Sequence, residues 1–431
     1  MSEFEEPPAA LASRMAAQFD VPPPVEPFDF PQRGNINIHT YRVVSGRGEG
    51  AREYLLQQIN PRVFRRPARV MAAMTACIEA QRRGLSRRDP ARTGPWEVIR
   101  LIPTRGGAPW LDADDLGGRS VWRLMERIPR AQTCRSLAEL PPDADPLRVA
   151  REAGRAMALF GDLVADLDAS ALPTPLPGYR NPAVYYAQLD AVLRGARTPD
   201  ECADLLPSEP DLRESTELHF LVHASPAEAA RRRADPEVAR AVDTALEHRA
   251  FAMTLLDDLA AGRLPRTAIH GDPKLDNILF DTGTGCAKAF VDLDTVMPHT
   301  WLVDWGDLVR SLANVAGERE RDLDRVRVDR DVFAAIAAGF LDTSETVRDP
   351  AAEAGRMIDA IRIQTLELGV RFLADYLRGD SYCRLSATDA ADLNRLRALV
   401  QFRLFARLGE EAEALRAVIA EYRGGGAPCG S

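Results

Sequence analysis

The residues able to do chemistry are concentrated between Ile269 and Asp294, in the run I-H-G-D-P-K-L-D-N-I-L-F-D-T-G-T-G-C-A-K-A-F-V-D-L-D. His270, Asp272 and Asn277 follow the spacing H-x-D-x-x-x-x-N, and Asp292 comes fifteen residues after Asn277. An amide oxygen and a carboxylate at one place suit a hard cation such as Mg²⁺, whose other ligands are waters and phosphate oxygens. A second carboxylate across from that cation can accept the proton of a hydroxyl that attacks a γ-phosphate. The pattern therefore casts Asp272 as base and Asn277 with Asp292 as metal ligands. Lys274 lies two residues past the base, where an ammonium can meet charge building on a transferred phosphoryl group.

Asn277 and Asp292 meet only if the chain folds back between them. Ile278-Leu279-Phe280 and Ala289-Phe290-Val291 are short apolar runs, and Asp281 to Gly285 supply turn residues, so a hairpin is expected there. A surface loop with acids as turn formers is the plain alternative; motif, hairpin and acid together favour the catalytic reading. His270 opens the motif and is expected to support the loop rather than touch reactants. Asp304 precedes Leu308, Val309 and Leu312 on one helical face, so it reads either as an N-cap or as a carboxylate holding the loop's backbone.

Composition narrows the class. The chain has 431 residues, 45% hydrophobic and 28% charged, with a formal charge of −9 that argues against nucleic-acid binding. No apolar run approaches the ~20 residues that cross a bilayer, and M-S-E-F-E-E is no secretory signal. Six scattered cysteines imply neither a zinc site nor a disulfide framework. A cytoplasmic protein is expected. Lys274 and Lys288 are its only lysines.

Residues 1–30, rich in Ala, Pro and acids, read as a leading segment. Residues 31–131 read as a small lobe of strands, at about 34–44, 52–59, 96–102 and 120–128, with a helix at 67–83 that Gly84 terminates and a polar loop at 112–118. The loop before residue 44 can lay backbone N–H groups over nucleotide phosphates. Residues 132–431 read as helical, with helices at 146–167, 237–262, 356–378 and 391–422. His219 and His223 stand four apart, a spacing that can bind metal, but incidental histidines are the better reading.

These residues resemble the aminoglycoside and choline kinase-like phosphotransferases, and among them most the N-acetylhexosamine 1-kinases. The words that carry the likeness are Y-L-L-Q-Q-I-N-P-R-V-F-R-R-P at 54–67, L-P-G-Y-R-N at 176–181, H-G-D-P-K-L-D-N at 270–277, V-D-L-D-T-V-M-P at 291–298, V-D-W-G-D at 303–307 and R-F-L-A-D-Y-L-R-G-D-S-Y at 371–382. The resemblance implies an α+β, two-lobed protein-kinase-like fold with a β-rich nucleotide lobe and a helical catalytic lobe. It implies Mg²⁺, ATP as co-substrate, Asp272 as base, and Arg371 with Tyr382 on the sugar. Gly34, Asn35 and Asn37 would lie near the phosphates. Gln57 and Gln58 stand in the third-strand region where many kinases have a phosphate-binding lysine, so Gln57 is the nucleotide-side candidate. Tyr179-Arg180 replaces the usual Phe-His, and Cys383 replaces Phe; both bear on the sugar. The expected reaction is phosphorylation of a sugar hydroxyl, the anomeric one of an N-acetylhexosamine or relative. An aminoglycoside or amino-alcohol kinase and a non-catalytic pseudokinase are the rivals. Arg371 weighs against the first and the intact Asp272, Asn277 and Asp292 against the second.

Overall fold

The computed structural model describes residues 8–30, 36–37, 39–115, 118–383, 385 and 389–422. Its small lobe is an antiparallel sheet of β1 (Val25–Asp29), β2 (His39–Ser45), β3 (Arg52–Gln58), β4 (Leu101–Ile102), β5 (Leu111–Asp115) and β6 (Gly118–Glu126). The order runs β1-β2-β3-β6, with β4 and β5 sharing the far edge of β6. β3 and β6 pair so that Gln57 stands opposite Arg123.

Residues 8–29 are part of this lobe rather than a leader. Ala12, Met15, Ala16 and Phe19 follow helical spacing, so helix α1 (Pro8–Ala16) covers one face of the sheet, packing with Tyr41, Leu56 and Trp122. β1 then closes the sheet's edge. Two further expectations shift. The stretch at 112–118 contains β5, because its residues find partners from Trp122 to Gly118 on β6. Conversely Trp96 to Arg100 are not strand; Trp96 and Ile99 turn into the core, Trp96 against Phe290.

Helix α2 (Pro67–Ser86) runs through Gly84 instead of stopping at it. A Cβ on Gly84 would lie 2.6 Å from the carbonyl oxygen of Leu163, so this glycine permits close packing and is no cap.

The large lobe is helical apart from short strands. β7 (Ala131–Gln132), β9 (Ile278–Asp281) and β10 (Ala287–Phe290) form one small sheet, and β8 (Thr267–Ile269) pairs with β11 (Met297–His299). Around them stand helices Pro146–Leu163, Trp301–Ala313, Arg330–Thr343 and the 29-residue Pro350–Arg378. The helix expected at 237–262 is broken at His248, and that at 391–422 at Glu411. A single core joins α2, the strands β8 to β10 and the helices Pro146–Leu163 and Trp301–Ala313, so the segment from Ile269 to Asp294 is anchored on both lobes. Among the described residues no helix is long and apolar enough to cross a membrane. Cys77, Cys134, Cys202 and Cys383 are free, and Cys286 is disulfide-bonded.

Candidate active site

β8 delivers the chain to His270, and a tight turn follows. Gly271 sits at φ +84°, with Thr295 so close that a Cβ would lie 2.5 Å from its carbonyl oxygen. The buried carboxylate of Asp304 accepts the N–H groups of His270 and Gly271, at 2.6 and 2.9 Å. Asp304 lies inside its helix; the N-cap is Thr300. Burial pushes the Asp304 carboxyl up to about 7, against the pull of those two N–H groups. The ring of His270 lies between Phe160 and Phe290; its Nε2 is 2.9 Å from the carbonyl of Val291, and its Nδ1 accepts the N–H of Asp272 at 3.3 Å. Burial holds this imidazole down at about 4, so it stays neutral. His270 and Asp304 shape the loop and do not reach its mouth.

The expected hairpin is present. Asp281 caps its turn by accepting the N–H groups of Gly283 and Thr284. β9 and β10 pair from Phe290 opposite Ile278, and the N–H of Val291 reaches the carbonyl of Asn277 at 2.9 Å. That last rung sets Asp292 beside Asn277. Asn277 donates its amide to the carbonyl and to Oδ2 of Asp272, at 2.8 and 3.2 Å, which leaves its own amide oxygen to face outward.

Three carboxylates crowd this spot. Burial, and after it the neighbouring Asp294 and Asp272, together raise the Asp292 carboxyl well above its usual range. Its backbone is left-handed at φ 62°, a conformation non-glycine residues adopt at a cost of ~1 kcal/mol. Burial also works against ionised Asp272, but Lys274, 2.9 Å away, more than offsets it and holds that carboxyl below its usual range. A buried carboxylate made costly by its acidic neighbours, next to an amide oxygen without a partner among the described residues, fits a divalent cation.

Above Asn277 and Asp292 a cleft of about 240 Å³ opens between the lobes, lined by Leu55, Gln57, Met74, Arg123 and Met125 from the small lobe. Gln57 lies in it, yet its amide oxygen is taken by Arg123, at 2.8 and 3.2 Å. Asn37 is buried and donates to Asp294 at 2.7 Å. Gly34 and Asn35 lie outside the described residues. The sequence reading missed Arg123, because nothing in its neighbourhood marks one arginine among so many.

On the other side of the catalytic loop lies a second pocket, holding Arg371 and Tyr382 together. The Arg371 guanidinium stands 5.2, 5.0 and 5.5 Å from the ring centres of Tyr179, Tyr185 and Tyr382, and donates to the Tyr382 hydroxyl at 3.0 Å. Tyr179 links the pocket to the loop by donating to the carbonyl of Gly271 at 3.0 Å. Asp375, fully buried, holds the N–H groups of Tyr382 and Cys383 and so fixes the turn that presents Tyr382. The pocket lining includes Gln188, His219 and Arg378, and among the described residues it contains no Asp or Glu. His219 meets Tyr382 edge-on and His223 turns to the carbonyl of Leu218, so the two histidines share no site. Arg180 is buried behind the loop against Asp307.

The family described as "APH: Phosphotransferase enzyme family" matches residues 31–335. The chain belongs to this phosphotransferase family. Among solved structures this phosphotransferase is similar to a microcompartment-associated aminopropanol kinase, at 15% identity and TM-score 0.49, with 94% of this chain and 98% of that one covered. It is similar to the ethanolamine kinase of Plasmodium vivax, at 9% identity and TM-score 0.46, over 88% and 82% of the two chains. A spectinomycin phosphotransferase, solved with ADP and spectinomycin, matches at 10% identity and TM-score 0.41 over 94% and 97%.

Proposed function

We propose that this phosphotransferase is a Mg²⁺-dependent kinase that moves the γ-phosphate of ATP to a sugar hydroxyl, the anomeric one of an N-acetylhexosamine or a close relative. One observation carries the reading: the acceptor pocket is built of tyrosines around Arg371 and, among the described residues, has no carboxylate in its lining. A cationic aminoglycoside or amino alcohol needs acids there and would meet a guanidinium instead. A polyhydroxylated ring with a carbonyl finds donors in Arg371, hydroxyls in the tyrosines, and aromatic faces.

In this reading Asp272 takes the proton of the acceptor hydroxyl as its oxygen bonds to the γ-phosphorus and the bond to the bridging β–γ oxygen breaks, leaving ADP. Asp272 suits the task because Lys274 keeps it ionised and Asn277 fixes its orientation. Asn277 and Asp292 would hold the Mg²⁺, which supplies charge neutralisation at the phosphate oxygens. Lys274, with its side chain 44% exposed, is free to swing from Asp272 toward the transferring phosphate.

An ADP-release screen over hexoses, hexosamines, N-acetylhexosamines, aminoglycosides and choline tests the acceptor class; turnover of a cation and no sugar overturns it. The roles are tested separately. Asp272→Asn should abolish turnover while Mg²⁺–nucleotide binding stays near normal, and Asp292→Ala should weaken the metal-dependent binding. Equal loss of binding in both variants would refute the assignment. Nucleotide binding with no turnover on any acceptor would support the pseudokinase instead.

A further inference from the structure

The small lobe lacks a third-strand lysine, yet a cation is buried at the same place. Arg123 on β6 faces Gln57 across the β3–β6 ladder, with a side chain only 1% exposed. Its Nε and Nη2 donate to the Gln57 amide oxygen, and its Nη1 pairs with Asp294 and contacts the sulfur of Met74 on α2 at 3.3 Å. The second oxygen of Asp294 accepts from Asn37, whose own amide oxygen accepts the N–H of Asn60 at 3.0 Å. Residues before β2 and on β6 therefore converge on one carboxylate of the other lobe, and Asn60 after β3 steadies Asn37. That carboxylate lies two residues past Asp292, in a short turn, Leu293–Thr295, whose Thr295 hydroxyl donates to the carbonyl of His270 at 2.9 Å.

We propose that Arg123 stands in for the missing lysine as a positioning residue: paired with Asp294, it locks the small-lobe sheet onto the turn that aims Asp292. This rests on the reading of Asp292 as a metal-holding carboxylate. Most of the guanidinium's donors are spent on Gln57, Asp294 and Met74, so it acts as a strut between lobes and not as a phosphate ligand. A buried ion pair contributes little net stability but fixes geometry, and losing one partner leaves the other charge stranded.

The test is calorimetric titration with ADP, with and without Mg²⁺. Arg123→Met and Asp294→Asn should each cut the Mg²⁺-dependent gain in ADP affinity by at least tenfold, with metal-free affinity changed less than twofold. The double variant should lose no more than the worse single, because the pair acts as a unit. If Arg123→Met does not fold, Arg123→Lys keeps a charge in the core but cannot span Gln57 and Asp294 together. It should lose the Mg²⁺-dependent gain in part, and a Lys variant equal to wild type overturns the proposal. Equal loss of metal-free affinity would make Arg123 a direct phosphate contact and overturn it too, as would additive losses in the double variant. Asp292→Ala separates the two levels. If it abolishes the Mg²⁺-dependent gain while the Arg123 variants keep it, only this inference fails. If the wild type shows no such gain, the functional reading fails with it.

Discussion

Arg180 grips the carbonyl oxygen of Gly271 with two nitrogens, Nε at 2.9 Å and Nη2 at 2.8 Å. Gly271 immediately precedes Asp272, so the guanidinium holds the loop from one side while Asp304 holds its N–H groups from the other. Arg180 is itself left-handed at φ 56° and is kept there by Asp307 and by the amide oxygen of Gln364 at 3.0 Å. Burial alone would raise the Asp307 carboxyl, but Arg180 and Arg310 hold it far below the usual range.

Arg180→Ala should therefore damage both activity and stability. It frees the Gly271 carbonyl and strands Asp307, a change that typically costs ~3–5 kcal/mol. In steady-state kinetics kcat should fall at least tenfold with the acceptor KM nearly unchanged, and thermal unfolding should show the stability loss. A large KM effect with normal kcat would return Arg180 to the acceptor pocket.

Lys274 is 2.9 Å from Asp272 and is one cause of that carboxyl's low pKa. Removing it should raise the Asp272 pKa, so the acid limb of kcat/KM against pH should move to higher pH in Lys274→Ala. The loss of a preorganised cation should also lower kcat by ~10²–10³ at the optimum. Lys274→Arg should rescue only partly, since a planar fork does not replace a point charge. An unmoved acid limb with wild-type kcat would make Lys274 a solvated surface residue.

Arg371 and Tyr382 form one hydrogen-bonded unit. Truncating either should raise the acceptor KM by the equivalent of ~1–3 kcal/mol, the cost of leaving a polar group unpaired in a recognition site. The ATP KM should hold steady. Intact acceptor kinetics in Arg371→Ala would show that the acceptor sits elsewhere.

Asp162 offers a stability test away from the site. It is buried and accepts the Glu345 N–H at 2.9 Å, and burial raises its carboxyl to about 6. Between the unfolded value near ~3.9 and the folded value, the native state holds a proton the unfolded chain has lost, so stability falls as pH rises through that window. Asp162→Asn should flatten that slope and gain on the wild type above about pH 6, by ~1–3 kcal/mol. Denaturant unfolding from pH 4 to 8 measures it; parallel curves would refute it.

The hairpin that sets Asp292 beside Asn277 was legible in the sequence because its information is local. The spacing of His270, Asp272 and Asn277, the turn residues after Asp281 and the return to Asp292 lie within one run of chain, and a hairpin has one way to close it. Helices such as 356–378 were legible from periodicity, though the break at His248 and the passage of α2 through Gly84 were not, since packing against distant elements decides them. The same holds for residues 8–29, whose apolar positions acquire a purpose only when a sheet face needs cover.

What tertiary structure alone decided is which charges meet. Arg123 and Asp294 are 171 residues apart, and Arg180 and Asp307 are 127 apart. In a chain where nearly every basic residue is arginine, side-chain type does not distinguish a buried strut from a solvated surface charge. An arginine acquires its role from the carboxylate and carbonyl placed against it, and that placement is set by how sheet, hairpin and helices pack. Short-range geometry brings the motif residues together; the fold selects their supports through long-range burial, where an unpaired charge is too costly to leave.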